Sequence, residues 1–426
     1  MVFHPRDRWP WNRRMSRRDM LKLTAGTAVA GSVLAACGGN GPKPVGGNGK
    51  TGGIVIGTPE NPVEQPLYDD NPPIESNLEP ERGPLRIYNW ADYIWMPVLK
   101  DFAAEYDVEF ELTTFYNLEE ATRKLRTGEV VFDIFFPTAE VIPKFVAGKL
   151  LQPLNLDYVP NLKRNIWPRV ASPYYDRGSR YTVPYVIYQT GIAWREDMVP
   201  DDIGALDNPW DAFWNPDYKG IAGLYDDYRE TVGIAMYHNG VTGINSARPE
   251  DMESVVESLV ELSSLVDIRY TIDGAYSGIP EGKFGIHHSW SGDIVNAQYY
   301  FPKKEEADPS VLRYFWPPKG SFNGGYISND SMAILASAEH PVLAHHFLNF
   351  MLSEKYAKKN FTWLGYQPPL TSLDPDNLVK DGLVPESLST AVIRQEDFAL
   401  GQAPIQLTPQ EDAAWLQAWS RVQSGG

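Results

Sequence analysis

Apolar and polar positions change period several times along the 426-residue chain, and those changes predict its elements. Leu85-Arg86-Ile87-Tyr88 alternates as a half-buried strand does. A helix with Pro97 in its first turn follows, up to about Tyr106. Next come an alternating strand over 108–112, a helix over 117–126 stopped by Gly128, and an apolar strand over 130–136. This βαβαβ order predicts a parallel sheet covered on both faces. The long strand-like run 181–194 is predicted to cross from one lobe to another, and 326–335 to cross back. Between them the pattern predicts a strand at 220–224, a helix over 249–266, a strand over 284–288 and a helix opened by Trp290-Ser291-Gly292-Asp293. Helices are predicted over 340–352 and 353–358, then an amphipathic terminal helix over 409–422 with Thr408 and Glu411 as capping box and Pro409 first. The expected fold class is α/β and two-lobed, each lobe a mixed, mostly parallel sheet flanked by helices, joined by crossover strands. Lobe 1 is expected to comprise 85–190 and 331–374, lobe 2 191–330 and 375–426.

Before residue 85 the periodicity fails. Residues 38–84 are rich in Gly, Pro and Asn, with only Ile54-Val55-Ile56 apolar in sequence, and are expected to be a flexible stalk. A random coil of that length would reach roughly 40 Å. Ahead of it, Ser16-Arg17-Arg18-Asp19-Met20-Leu21-Lys22 looks like a twin-arginine signal, followed by an apolar run too short to span a bilayer. Leu34-Ala35-Ala36-Cys37 looks like a lipobox, so residues 1–37 are expected to direct export and leave Cys37 acylated. Cys37 is the only cysteine in the chain, which excludes an internal disulfide and thiol catalysis. An acyl anchor tethers without spanning, either to the outer face of the cytoplasmic membrane or in the periplasm.

Composition narrows the function. Hydrophobic residues at 43% and charged ones at 22% are globular values. A net charge of −17 argues against nucleic-acid binding and favours cations. Leu224-Tyr225-Asp226-Asp227-Tyr228-Arg229-Glu230 crowds acids and tyrosines at a predicted strand-to-helix junction. Ligands of open α/β sheets bind at such strand ends. Asp227-x-x-Glu230 is equally the pattern of a helix capping box.

Taken in order, several marks resemble the substrate-binding proteins of bacterial ABC importers for spermidine and putrescine. They are Asn89-Trp90-Ala91-Asp92-Tyr93, Phe132-Asp133-Ile134-Phe135-Phe136-Pro137-Thr138, Asp226-Asp227-Tyr228-Arg229-Glu230 and Ser289-Trp290-Ser291-Gly292. Asp330-Ser331-Met332-Ala333-Ile334 and Leu364-Gly365-Tyr366-Gln367-Pro368 continue the series, and the resemblance covers roughly 85–420. It implies the two-lobed periplasmic-binding-protein fold and a monomer that captures a polyamine and delivers it to a permease, without cofactor or metal. It further implies aromatic walls from Trp90, Trp290 and Tyr366, amine-binding carboxylates at Asp92, Asp227, Glu230 and Asp330, and polar contacts from Thr138 and Gln395. Ser328 and Glu140 stand where the family often carries aromatics, with Tyr326 able to supply a face. They point to a wider or more acidic pocket, and to another organic cation as an alternative ligand. A carboxylate-dependent exported hydrolase is the rival class, but no G-x-S-x-G or H-E-x-x-H motif occurs. The adjacent His287 and His288 on a strand would point to opposite faces and are read as structural.

Overall fold

The computed structural model describes residues 50–425 apart from 52, 129, 303–307 and 319–323. The export segment 1–37, with Cys37, and residues 38–49 lie outside the described residues. The first lobe opens with β1 (Leu85–Trp90), α1 (Met96–Tyr106), β2 (Phe110–Phe115), α2 (Leu118–Thr127), β3 (Ile134–Phe135) and α3 (Ile142–Ala147). The long strand β4 (Thr182–Arg195) follows. Next are β5 (Ala222–Leu224), α4 (Tyr228–His238), α5 (Pro249–Val266), β6 (Arg269–Tyr270), β7 (Ile286–Trp290) and α6 (Ser291–Ala297). The chain continues through β8 (Leu312–Phe315), β9 (Tyr326–Ile334), α7 (Pro341–Met351), α8 (Glu354–Leu364) and α9 (Pro409–Ser424).

Among the described residues these nine strands share one sheet, ordered β2-β1-β3-β9-β4-β7-β5-β6, with β8 alongside β4. β1 pairs in parallel with β2 and β3, and β5 in parallel with β6 and β7, as crossover helices require. The two parallel halves meet through the antiparallel pair β4 and β9. Thr182 to Thr190 of β4 face β9, while its distal end pairs with β7 and β8. β4 is buried along nearly its whole length, which explains a continuous apolar run without alternation. Pro184 sits inside it without breaking the sheet, because the register slips between Asp330 and Ser331 so that Tyr185 has no opposite number. A bulge is where a strand tolerates proline, and it re-aims the side chains beside it. One of those is Asp330.

Three apolar clusters fill the layers. Leu85, Ile87, Leu343 and Phe347 belong to the largest, Tyr88, Phe115, Phe135 and Phe145 to the opposite face of the first lobe's sheet, and Val232, Leu259 and Trp415 to the second lobe. The terminal helix α9 forms where predicted, with its capping box intact and Trp415 fully buried. Residues 375–426 do not act as one segment. Leu378, Val384, Leu388 and Ile393 join the largest cluster, and only from Leu407 onward does the chain enter the second lobe's core.

The stalk expectation fails from Ile54 onward. Gln65 is completely buried, donating from Nε2 to the carbonyls of Val55 (3.0 Å) and Tyr175 (2.6 Å). Val63 N–H donates to Tyr174 O at 2.9 Å and Arg177 N–H to Val63 O at 2.8 Å. Asn71 Nδ2 donates to Leu151 O at 2.8 Å, and Glu81 accepts the amides of Val342 and Leu343 at the start of α7. Residues 54–84 thus form a strap along lobe 1, held by hydrogen bonds rather than by an apolar stripe. Among the described residues, no helix is long and apolar enough to cross a membrane.

Candidate functional site

One cavity draws its lining from both lobes, and every residue that the sequence comparison placed in a site lines it except Gln395. Gln395, expected as a polar contact, instead lies on an exposed turn after Ile393, outside the lining.

From lobe 1, β1 delivers Trp90 at its carboxyl end, where the indole Nε1 donates to Phe136 O at 3.1 Å and the ring packs on Phe115. The chain then turns through Asp92, whose positive φ of 54° is tolerated by a short polar side chain. Asp92 stays exposed at the rim, and the next residue, Tyr93, reaches inward to donate to Asp330 Oδ2 at 2.6 Å. Thr138, just past β3, bridges to Asp330 in the sheet and donates from Oγ1 to Glu140 Oε1 at 2.6 Å.

From lobe 2, the junction of β5 and α4 divides its roles. Asp227 is the N-cap of α4, accepting Glu230 N–H at 3.0 Å. The box is not completed. Glu230 turns instead into the cleft, where Oε1 accepts Trp290 Nε1–H at 2.7 Å and Thr190 Oγ1–H at 3.2 Å. His288 Nε2 lies 3.2 Å from Glu230 Oε2, and Tyr225 N–H points at His288 Nδ1. That pattern fits a neutral imidazole donating from Nε2, consistent with burial pushing His288 down to about 3. His287 packs edge-on against Phe284 and Tyr225 and makes no contact with Glu230 among those described. Trp290 stacks on Tyr225 with ring centres 4.0 Å apart.

A second acid, Asp293 in the first turn of α6, accepts Tyr225 O–H at 2.7 Å and Tyr366 O–H at 2.8 Å. Tyr366 can pack there only over Gly292, where a Cβ would sit 2.2 Å from its ring. Asp293 and Tyr93 were missed by sequence reasoning, although both stand in quoted motifs. Of the two departures, Glu140 lines the cavity and Ser328 does not, and Tyr326, expected to supply a face, lines it.

Carboxylates outnumber cations here, for among the described residues Arg229 is the single lining cation. It packs 4.2 Å from the centre of Trp415 and donates to Asn245 Oδ1 at 2.8 Å. Burial pushes Glu230 up to about 7 against the hydrogen bonds from Trp290 and Thr190. Burial, then the charge of Glu230, pushes Asp227 up to about 7. Asp330 and Asp293 are raised to about 7 for the same first reason, despite their phenol donors. Glu140 is likewise raised by burial. Acids so crowded and desolvated are poised to gain from a cation that replaces lost hydration.

The family model for bacterial extracellular solute-binding proteins matches residues 98–386, more than half of the chain, and the chain belongs to that family. The spermidine/putrescine-binding periplasmic protein of Salmonella typhimurium is 27% identical over 287 residues, 67% of this chain and 77% of its own. The putrescine/agmatine-binding protein of Pseudomonas aeruginosa is 26% identical over 358 residues, 80% of this chain and 92% of its own. The solved spermidine/putrescine ABC transporter substrate-binding protein PotD of Streptococcus pneumoniae superposes with a TM-score of 0.63 at 24% identity, covering 80% of this chain and 98% of its own. That structural likeness bears on the fold, which is the two-lobed binding-protein fold expected.

Proposed function

We propose that the chain is exported, held by an acyl group on Cys37, and works as a monomer that captures a polyamine in the cleft and delivers it to an ABC permease. The names of the relatives support the ligand class, and the observation that carries it is the alternation of acids with aromatic faces in one two-lobed cavity. An ammonium group over an aromatic face gains about 0.5–2 kcal/mol, more as it is desolvated. Glu230, Asp227 and Asp330 add charge-assisted hydrogen bonds, while Trp90, Trp290 and Tyr366 offer faces for the alkyl chain. The cleft is read as holding its ligand without turning it over.

A thermal-shift panel of polyamines, amino acids and sugars tests the ligand class. Stabilisation by polyamines alone is expected, and stabilisation by sugars alone would favour the hydrolase class instead. The anchor is tested separately by fractionating a Cys37→Ser chain. Its release from membranes after a salt wash is expected, and full retention would contradict acylation.

A further inference from the structure

The proposed ligand class leaves the number of amines open, and the turn from Thr138 to Glu140 bears on it. Asp293, Glu230 and Asp227 have part of their capacity committed. Asp293 accepts one phenol on each oxygen. Glu230 meets Trp290, Thr190 and His288. Asp227 spends one oxygen on the cap of α4. Among the described residues, two buried carboxylate oxygens have no partner: Asp330 Oδ1 and Glu140 Oε2. Ser328, on the same face of β9 as Asp330, also keeps a buried unpartnered hydroxyl. Buried acceptors left empty carry a desolvation penalty unless a ligand donates to them.

Glu140 also stands where the cleft continues. Beyond it lies a second cavity that shares Glu119, Glu140, Tyr228 and Arg229 with the first, so the cleft is not closed at this end. Arg229 packs on Trp415 and donates to Asn245, its Nε and Nη1 stay buried without a partner, and its charge reaches Glu140, although no ion pair joins the two among the described residues.

We propose that Glu140 is a specificity-determining acid, a third anionic station after Asp330 and the Asp227–Glu230 pair, which selects linear cations with three or more amines over diamines. The inference rests on the polyamine reading. A diamine compensates two stations and leaves Glu140 with only the charge of Arg229 and an empty Oε2, whereas a triamine reaches all three. Discrimination then comes from the uncompensated acid as much as from any added contact.

Calorimetric titration of the full chain and its Glu140→Gln variant with spermidine and with putrescine tests this. The natural chain is expected to prefer spermidine by about tenfold or more. Glu140→Gln is expected to weaken spermidine by about tenfold to a hundredfold while changing putrescine less than about threefold. The variant should melt close to the natural chain, since glutamine still accepts from Thr138. Equal loss for both amines, or loss for neither, would overturn the role of Glu140. Failure of both proteins to bind any amine would instead overturn the polyamine reading beneath it.

Discussion

Asp227 and Glu230 sit three residues apart on one helical turn yet face different partners. Asp227 caps α4 through one oxygen, and Glu230 has abandoned the reciprocal cap for Trp290, Thr190 and His288. Asp227→Asn keeps a good cap, so melting should hardly move while spermidine binding weakens by about 2–5 kcal/mol, roughly thirtyfold or more. Glu230→Gln should lose affinity on the same scale, with its Oε1 still accepting from Trp290. Calorimetry and thermal unfolding check the pair together, and unchanged affinity in both variants would return this turn to a purely structural role. The motif was legible in the sequence, but its division was not. Asp-x-x-Glu spells a capping box at either outcome, and it takes partners far along the chain, the indole of Trp290 sixty residues away with Thr190 and His288, to draw Glu230 out of it. Asp293 was hidden for a similar reason: in a helix's first turn an acid looks like dipole compensation, until two phenols from distant segments converge on it.

Among the elements, the crossover strands were readable and the strap was not. β4 announces itself as a largely apolar run longer than one layer needs, and β9 as a strand-length stretch apolar at both ends around Ser328-Asn329-Asp330-Ser331. The strap from Ile54 to Pro84 has no periodic apolar face, because Gln65, Asn71 and Glu81 fasten it through hydrogen bonds to backbone groups. Prolines restrict its unfolded ensemble, which lowers the entropy lost on docking. A chain beginning at Leu85 is therefore expected to melt several degrees below one beginning at Gly53, since each lost buried hydrogen bond leaves a carbonyl or amide unmet at about 1–3 kcal/mol. Equal melting temperatures would show the strap to be energetically idle. Gln395 failed in the opposite direction. Its place in the sequence order was right for a site, but the turn after Ile393 carries it to the surface.

For the whole molecule, two lobes joined through β4 and β9 are expected to close on a ligand, hinge bending being the usual motion of such folds. The radius of gyration from small-angle scattering should fall at saturating spermidine, and an unchanged value would argue for a rigid cleft. The same closure governs protons. Asp227, Glu230, Asp330 and Asp293 are held near 7, above the usual carboxylate range near 4. Between those values the ligand-free folded chain keeps protons that the unfolded chain has lost, so these groups make folding less favourable as pH rises from about 4 to 7. A bound cation restores the charged forms. Binding near neutrality must then release protons, and affinity must rise as pH rises through 7. The most direct measurement is calorimetric titration with spermidine at pH 6, 7 and 8, repeated at pH 7 in buffers of different ionisation enthalpy. The account predicts saturable binding that tightens with pH and releases protons at pH 7. Absent binding, or binding that weakens with pH and takes protons up, would contradict it.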